Sequence, residues 1–513
     1  MRLRSLTVLV ASCCSVALSI SATERPNIIL IYSDDQGWGD VGYHGVADIL
    51  TPAIDRIANE GVAFTQGYAS ASVCGPSRCG LLTGVYQQRF GCGENASMAG
   101  FPDETKWPTS GIPTSQSTLS DMLNDAGYTC GMVGKWHVGH SDEQVPNARG
   151  FDSFFGFLNG SHDYTRWESE FGPNRSLWPL FRNREALPAQ EDTYLTDRFS
   201  NEAVEFIEQA SKKEAPFFLY LAYNAVHHPW QVPDAYLERT QHLTDNPERN
   251  FFAAMILAMD DGIGRVLETL DAKGITENTI VWFMSDNGSP SGQGLKPSRE
   301  RKQHFATLTH GEGHATMSNT GGLRGFKGDT YEGGIRVPMC MRWPSQVPAG
   351  TVYQQPVSNL DIVPTSLAPL GINKPTTGVH FDGVDLLPFL RGERDEQRPH
   401  ETLYWRRDND YAIRHGDWKL TWNDASGPLT IMLFNLANDP AERVDLIDQY
   451  PERAQALQDL FDAWDHTVPT SELWGAPWNR NRDYPNGTRI GVVEFNADPP
   501  TPHTARKKIK ASN

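Results

Sequence analysis

Side chains that could do chemistry follow four short apolar runs of the chain. The runs are Ile28–Tyr32, Gly131–Val133, Phe217–Ala222 and Ile280–Met284. They lead, in that order, into Ser33-Asp34-Asp35, Gly134-Lys135-Trp136-His137, Asn224 with His227, and Ser285-Asp286-Asn287-Gly288. Such runs are typical of buried parallel strands, and open α/β sheets bind ligands beyond the carboxyl ends of their strands. Parallel strands would therefore bring three acidic residues, a lysine and two histidines to one edge of a sheet.

Two of these segments have the composition of a metal site. Asp34 and Asp35 are adjacent at the end of an apolar run, which is costly unless a cation compensates their charges. Asp286 and Asn287 offer a carboxylate and an amide oxygen at the end of another run. Oxygen ligands of this kind suit hard cations such as Ca²⁺ or Mg²⁺. For either segment alone, a helix cap or an ordinary turn is the alternative.

Cys74 stands at the predicted start of a helix, in the segment Cys74-Gly75-Pro76-Ser77-Arg78. Pro76 fits the first turn of a helix, and the N-terminal end of a helix favours anions. Arg78 would lie about one turn further along, on the same side of that helix. Taken alone, Cys74 could also be a small buried residue.

The number of cysteines sets one of them apart. Cys13 and Cys14 lie in an apolar N-terminal stretch, and the remaining five are Cys74, Cys79, Cys92, Cys130 and Cys340. An odd number in an exported chain indicates that one cysteine has another role. The other four are compatible with disulfides or with buried thiols.

Helical patterns alternate with the apolar runs, at Pro52–Asn59, Leu119–Asn124, Asp197–Ala210 and Phe251–Leu270. This alternation predicts an α/β fold whose large, mostly parallel or mixed sheet is sandwiched by helices. After a charged stretch at Arg391–Arg398, short alternating strands and a helix near Pro451–Trp464 predict a smaller antiparallel subdomain. We therefore expect a catalytic α/β domain at residues 23–395 and a C-terminal α+β subdomain with its tail at residues 396–513.

The N-terminus and the overall charge limit where the protein works and what it binds. Arg2, Arg4 and the apolar stretch Leu6–Ile20 predict a signal peptide at residues 1–22 and export to the periplasm or the extracellular space. A lipoprotein anchored through Cys13 is the alternative. No second apolar span follows, so we expect no stable membrane insertion. The net charge of −18 argues against nucleic-acid binding and requires a local cluster of cations to attract any anionic substrate.

The chain resembles the type I sulfatases of the alkaline phosphatase superfamily. Cys74-Gly75-Pro76-Ser77-Arg78 and the following Leu82-Thr83-Gly84 match the Cys-x-Pro-x-Arg signature of that family and its continuation. Other matching segments are Asp34-Asp35, Thr51–Arg56, Gly134–His137, Asn224–Pro229, Ser285–Gly288, Lys327 with Glu332–Pro338, and Asn359–Thr365. The resemblance covers roughly Pro26 to Phe461.

The resemblance implies a role for each matching residue. A maturation enzyme that generates formylglycine would oxidise Cys74 to that aldehyde. One Ca²⁺ would be bound by Asp34, Asp35, Asp286, Asn287 and the formylglycine at position 74. Arg78 and Lys135 would hold the formylglycine and the sulfate oxygens, and His137 would be the base that later expels sulfate. His227 and Lys327 would contact the sulfate and protonate the leaving oxygen.

The substrate implied is a sulfated carbohydrate, either a glycan or an oligosaccharide. Asn159–Tyr164 and Arg166 follow Gly150-Phe151-Asp152 as in family members that act on sulfated sugars. His162, Asp163 and Arg166 are therefore candidates to line a sugar pocket, with a plain surface loop as the alternative. Two other functions are considered, a phosphonate or phosphomonoester hydrolase of the same superfamily and a carbohydrate-binding protein without catalysis.

Overall fold

The computed structural model describes most of the chain between residues 25 and 468. The described residues are 25–93, 95, 111–166, 168–171, 176–188, 194–290, 293–297, 305–314, 317–394, 397–407, 410–423 and 430–468. The predicted signal peptide at residues 1–22 and the C-terminal tail after residue 468 lie outside them.

Among these residues the chain forms twenty strands and ten α-helices. The strands are β1 Asn27–Ser33, β2 Val62–Tyr68, β3 Thr129–Lys135, β4 Ser153–Phe157, β5 Glu168–Phe171, β6 Ser176–Pro179, β7 Phe181–Arg182, β8 Glu185–Ala186, β9 Phe217–Ala222, β10 Trp230–Pro233, β11 Thr279–Ser285, β12 Gln293–Pro297, β13 Phe305–His314, β14 Arg336–Arg342, β15 Thr351–Tyr353, β16 Val357–Ser358, β17 Thr402–Arg407, β18 Asp410–His415, β19 Trp418–Asn423 and β20 Thr430–Asn435. The helices are α1 Pro52–Asn59, α2 Cys74–Thr83, α3 Leu119–Asp125, α4 Leu195–Ala210, α5 Asp234–Thr240, α6 Pro247–Lys273, α7 Glu332–Ile335, α8 Ile362–Leu367, α9 Leu387–Leu390 and α10 Pro451–Asp465.

A large mixed sheet forms the centre of the molecule. In the described part of the chain it has eleven strands in the order β15-β2-β14-β11-β1-β9-β3-β4-β7-β8, with β16 also paired to β2. The five central strands, from β11 to β4, are parallel, whereas β14 runs antiparallel to both β11 and β2. The predicted α/β fold with a large mixed sheet is confirmed.

The register of the parallel strands brings their carboxyl ends together. Ser33 pairs with Ser285 across β1 and β11, and Ala222 of β9 pairs with Tyr32 on one side and Gly134 on the other. The polar segments that follow β1, β3, β9 and β11 therefore start side by side. This is the common edge that the four apolar runs predict.

Each face of the sheet is covered by helices and forms its own core. Alternate residues of a strand point to opposite faces, so Ile29 and Ile31 join one core and Ile28 and Leu30 the other. Helices α1, α4 and α6 cover the first face, and α2, α3 and α8 cover the second. Each such fully buried aliphatic side chain contributes about 1.5–3 kcal/mol to folding.

A smaller antiparallel sheet of β17-β18-β19-β20 follows in the C-terminal part of the chain. Helix α10 packs on one side of it, where Trp422, Leu457 and Phe461 share a core. The predicted antiparallel subdomain is therefore present. The predicted boundary falls at residues 395 and 396, which lie outside the described residues, and it stays a prediction. No described helix combines the length and the apolar character needed to cross a membrane.

Buried charges join the small sheet to the large one. Lys419 of β19 lies 2.9 Å from a carboxylate oxygen of Glu332 and 2.9 Å from one of Glu442, and all three side chains are buried. The other oxygen of Glu332 accepts a 2.7 Å hydrogen bond from the hydroxyl of Tyr68 in β2. Burial raises the pKa of Glu442, and Lys419 opposes that rise. Lys419 is therefore the cation that the two carboxylates share, and Arg336 lies 3.6 Å from the other oxygen of Glu332.

Replacing Lys419 by methionine should remove the cation that two buried carboxylates share. We expect Lys419→Met to lower the free energy of unfolding by about 3–5 kcal/mol, the usual cost of removing one partner of a buried ion pair. The control is Lys374→Met at an exposed lysine, which should change it by less than about 0.5 kcal/mol. Urea unfolding of the two variants measures the difference, and equal small losses would contradict a structural role for Lys419.

Candidate active site

Helix α2 begins at Cys74 and carries the first part of the site. Cys74 follows Val73, whose extended backbone ends the preceding segment, and the helix stops at Gly84 in a left-handed conformation (φ 68°). Every residue of α2 is buried, so the helix points its N-terminus into the protein. The partial positive charge of that N-terminus therefore acts on Cys74 without screening by water.

Three buried carboxylates at the edge of the sheet are each matched by a cation. Lys135 at the end of β3 donates to Asp34 Oδ2, and Arg78 of α2 donates to Asp286 Oδ2 through Nε at 3.1 Å and Nη2 at 2.9 Å. Lys327 Nζ donates to Asp35 Oδ1 at 2.5 Å. Burial of these carboxylates would be costly without such partners. The protein's own lysine and arginine side chains thus compensate the negative charges of these aspartates.

Further contacts make the pairs into one cluster. Arg78 Nη2 also lies 3.6 Å from Asp34 Oδ2, and Asn287 Nδ2 donates to Asp35 Oδ1 at 2.8 Å. Asp35 has a left-handed backbone (φ 64°), a conformation that a non-glycine residue rarely adopts. Its amide donates to Asp286 Oδ1 at 3.2 Å. These two hydrogen bonds connect Asp35, after β1, to Asp286 and Asn287, after β11.

The charges shift the pKa values in the cluster. Burial and the neighbouring Asp34 raise the pKa of Asp286. Burial also raises the pKa of the Cys74 thiol, although Lys135 and Lys327 act against it. For Lys327 burial disfavours the charged amine, yet Asp35 and the other acidic neighbours prevail and raise its pKa. Lys327 therefore remains a cation inside the site.

Two buried oxygen atoms of the cluster fit a cation as ligands. Asp34 Oδ1 and Asn287 Oδ1 have no hydrogen-bond partner among the described residues. Ligand atoms of Asp34, Cys74 and Asp286 lie within 4.8 Å of one another, as do those of Asp34, Asp35 and His227. A carboxylate-rich, oxygen-dominated set suits a hard divalent cation. The predicted ligands Asp34, Asp35, Cys74, Asp286 and Asn287 are thus brought together.

Two histidines face the same cluster. His227 Nδ1 bonds the carbonyl of His228 at 2.7 Å, which leaves Nε2 directed at Asp35, 3.7 Å from its Oδ2. His137 is buried with a left-handed backbone (φ 58°), and its Nδ1 has no partner in the described part of the chain. Burial, helped by nearby cations, lowers the pKa of both rings. Both imidazoles are therefore neutral in the free site.

The loop predicted to bind sugar packs against these histidines. Gly160 lies on the His137 ring, since a Cβ on Gly160 would be 2.8 Å from His137 Cε1. Asp163 accepts hydrogen bonds from Thr165 and from Gln231 Nε2, and His162 is buried with its Nδ1 bonded to the Asp163 carbonyl. Arg166 is half-buried. His162 and Asp163 belong to the loop that packs on His137, and a sugar-binding role for them and for Arg166 stays a prediction.

Several residues of the site have contacts that the sequence analysis does not predict, and of these only Asn359 lies in a matching segment. Tyr220 of β9 accepts a 3.3 Å hydrogen bond from Arg78 Nη1, and the Arg78 guanidinium lies over the Tyr32 ring, 5.2 Å from its centre. Asn359 donates to the Ser77 carbonyl at 3.0 Å and so holds α2 in place. Asn95 accepts from the Gly75 amide at 2.8 Å. The alternation of β1 and β9 could have indicated Tyr32 and Tyr220, whereas nothing local indicates Asn95.

The cysteines of the described chain are all free and buried. They are Cys74, Cys79, Cys92, Cys130 and Cys340. Of the two alternatives open from the sequence, the structure therefore shows buried thiols. Among them Cys74 alone lies in the charged cluster with Asp34 and Asp286.

Comparison with known proteins gives a consistent result. Residues 26–372 match the family model described as Sulfatase, and residues 326–464 match that of the N-sulphoglucosamine sulphohydrolase C-terminal region. The chain is 32% identical to the N-acetylgalactosamine-6-sulfatase of Canis lupus familiaris, covering 85% of this chain and 84% of the relative. It is 32% identical to the arylsulfatase G of Rattus norvegicus, covering 84% and 85%.

Solved structures share the same architecture. The crystal structure of Ps i-CgsB in complex with k-i-k-neocarrahexaose superposes with a TM-score of 0.73 and 32% sequence identity. The match covers 87% of this chain and 94% of that one. The similarity therefore includes both sheets.

The ligand set can be tested by exchanging one carboxylate at a time. Asp286→Asn keeps the shape of the side chain and an acceptor for Arg78 but removes a charged ligand. We expect it to weaken calcium binding by more than about 100-fold, because even the partners that orient a ligand typically contribute about 10- to 100-fold.

The matched control is Asp40, a buried carboxylate bonded to Arg249, Ser318 and Asn319. Asp40→Asn should lower thermal stability and leave calcium affinity within about threefold, since Asp40 fixes a loop and lies among no candidate ligands. Calorimetric calcium titration of the two folded variants makes the comparison. A larger loss of affinity in the Asp40 variant would show that the ligand set is wrong.

Proposed function

The chain belongs to the sulfatase family and is a sulfuric ester hydrolase, and from that premise we propose that it removes sulfate from a sulfated glycan or oligosaccharide. The proposal is carried by one observation. The Cys74 side chain, at a helix N-terminus, shares a buried cluster with Arg78, Lys135 and Lys327 and with the carboxylates of Asp34, Asp35 and Asp286. Cations around a nucleophile are what an anionic ester needs.

Two groups complete the proposed site. One Ca²⁺ would be held by Asp34, Asp35, Asp286, Asn287 and residue 74, and a maturation enzyme that generates formylglycine would convert Cys74 to the aldehyde. Together they would supply a deprotonated hydroxyl as nucleophile and neutralise the sulfate charge. The two unpaired oxygens, Asp34 Oδ1 and Asn287 Oδ1, support the metal proposal.

The side chains of the cluster bind and orient the ester. Arg78 and Lys135 lie on the α2 and β3 side and Lys327 on the opposite loop, and each is held by a carboxylate. Because these cations are fixed before substrate arrives, they need little reorganisation as charge develops on the sulfate oxygens. Gly160, in the Asn159–Thr165 loop, packs closely on the His137 ring.

The two histidines would move protons at different stages. His227 uses Nδ1 to bind the His228 carbonyl, which leaves Nε2 to face the ester. Once the ring has taken up a second proton from solvent, Nε2 would give that proton to the leaving sugar oxygen, with Lys327 as a second donor. His137 would accept the proton of the second hydroxyl of residue 74, and that hydroxyl would then expel sulfate. The distinct surroundings of the rings, one beside Asp35 and one beside Gly160, support separate roles.

The carbohydrate substrate and the location rest on other observations. The N-acetylgalactosamine-6-sulfatases are relatives over most of the chain, and Ps i-CgsB was solved in complex with k-i-k-neocarrahexaose. His162, Asp163 and Arg166 are proposed to line the sugar pocket. The basic and apolar N-terminus supports export, so the enzyme would meet its substrate in the periplasm or outside the cell.

Sulfate release from a panel of sulfated mono- and oligosaccharides tests this function. We expect turnover on at least one of them and its essentially complete loss in Cys74→Ala, because alanine provides no nucleophile. Thermal unfolding should show that the variant is folded. A second comparison uses the sulfate, phosphate and phosphonate esters of one phenol. If the phosphate or phosphonate ester were hydrolysed faster than the sulfate ester, the enzyme would instead be the phosphonate or phosphomonoester hydrolase considered above.

The histidine roles can be separated by the leaving group. A sugar hydroxyl is a poor leaving group that needs a proton, whereas nitrophenolate needs little assistance. We expect His227→Ala to lose about 100-fold or more on a sulfated sugar and far less on nitrophenyl sulfate, within the usual range of general acid catalysis.

His137→Ala should behave differently, with a first turnover that releases alcohol and then stops. Mass spectrometry should find sulfate attached to residue 74 of this variant. Equal losses of His227→Ala on both substrates, without an adduct in His137→Ala, would show that the assignment of the two histidines is wrong.

A further inference from the structure

Asn95 reaches the N-terminus of α2 from twenty residues further along the chain. Its Oδ1 accepts a 2.8 Å hydrogen bond from the Gly75 amide and lies 3.7 Å from Cys74 Sγ, which donates to it. Val73, at the N-cap position of the helix, offers no side-chain hydrogen bond to it. The amide oxygen of Asn95 thus contacts both the first turn of the helix and the residue expected to react.

The glycine at position 75 makes this contact possible. A Cβ at Gly75 would lie 2.8 Å from Asn95 Oδ1, which is too close. Its next neighbours would be the His137 carbonyl oxygen at 3.5 Å and Asn95 Cα at 3.6 Å, both ordinary contacts. An alanine at 75 would therefore fit the backbone and displace only the Asn95 amide. Gly75 occupies the first x of the Cys-x-Pro-x-Arg signature.

We propose that Asn95 is a positioning residue for residue 74, holding it in the hydrated form and in the orientation needed for attack; the proposal rests on the proposed function. In the matured residue an oxygen takes the place of the sulfur. The hydrate forms when water adds across the aldehyde C=O, and it carries two hydroxyl donors, whereas the free aldehyde carries none. An acceptor beside this position therefore favours the hydrate over the aldehyde.

The choice of an amide over a carboxylate follows from the charges around it. Asp34, Asp35 and Asp286 already place three negative charges close to Cys74. An aspartate at 95 would accept the same hydrogen bonds but would add a fourth charge and repel an anionic ester. Asparagine supplies the acceptor without that repulsion.

The proposal is tested on the folded, matured protein with an aminooxy reagent and nitrophenyl sulfate. The reagent condenses with the aldehyde at residue 74, forming a C=N bond and releasing water, so its rate reports the aldehyde fraction independently of turnover. We expect Asn95→Ala and Gly75→Ala each to label about three- to tenfold faster, the range that one hydrogen bond supplies. The kcat, expressed per protein molecule with a matured residue 74, should fall by about three- to tenfold. The KM should stay within about twofold of the wild-type value.

Two further variants separate positioning from a general structural effect. Asn95→Asp should label within about twofold of the wild type, because it keeps the acceptor, and should still lose turnover through charge repulsion. In the Asn95→Ala background there is no Asn95 amide for the alanine at position 75 to displace. Gly75→Ala should therefore change the labelling rate and turnover of that variant by less than about twofold. The exposed Asn438→Ala serves as the control and should change neither rate.

The outcomes distinguish the two proposals. If the wild type carries the aldehyde and turns over substrate, two results would overturn the role of Asn95 alone. One is a labelling rate that is unchanged in both single variants. The other is a double variant whose loss of turnover equals the product of the two single losses. A wild type without aldehyde at residue 74 would overturn the proposed function and the Asn95 role with it. If Asn95→Ala does not fold, Gly75→Ala carries the test, since alanine in place of glycine favours a helix.

Discussion

Three carboxylates and three cations share one buried cluster, and the architecture of the site depends on their mutual compensation. A single unpaired charge in this position would cost several kcal/mol, and removing one partner of such a pair typically costs about 3–5 kcal/mol. The six members come from five different parts of the chain. The carboxylates of Asp34, Asp35 and Asp286 follow β1 and β11, and their partners Lys135, Arg78 and Lys327 come from β3, α2 and the loop before α7. The cluster can therefore form only when the parallel strands are in register and α2 is docked.

The balance of charges also explains why a metal would matter to an enzyme with a net charge of −18. With three carboxylates against three cations the cluster is close to neutral by itself. A divalent cation on the unpaired oxygens of Asp34 and Asn287 would make it positive. Local attraction for an anionic ester would then arise within a chain whose overall field repels it. The same positive charge would lower the cost of deprotonating a hydroxyl at residue 74.

The sequence predicts the parts of the site that depend on local patterns. Apolar runs such as Ile28–Tyr32 locate the strands, and the polar residues after them fall together because parallel strands end at one edge. Contacts between distant segments cannot be read in this way. Lys419 and Glu332 are 87 positions apart, and the reach of Asn95 to Gly75 depends on how the chain returns after α2. The sugar-pocket prediction illustrates a further limit, since residue type alone did not indicate that Asp163 bonds Thr165 and Gln231.

The central claim is that residue 74 is the reacting group of a sulfate ester hydrolase. Peptide mass spectrometry of enzyme that is turning over a sulfated oligosaccharide tests it most directly. We expect the peptide containing residue 74 to have the mass of an aldehyde or its hydrate in place of the thiol. The share of peptide with this mass should be proportional to the fraction of enzyme that is active. A fully active preparation in which this peptide carries only the unmodified thiol would contradict it.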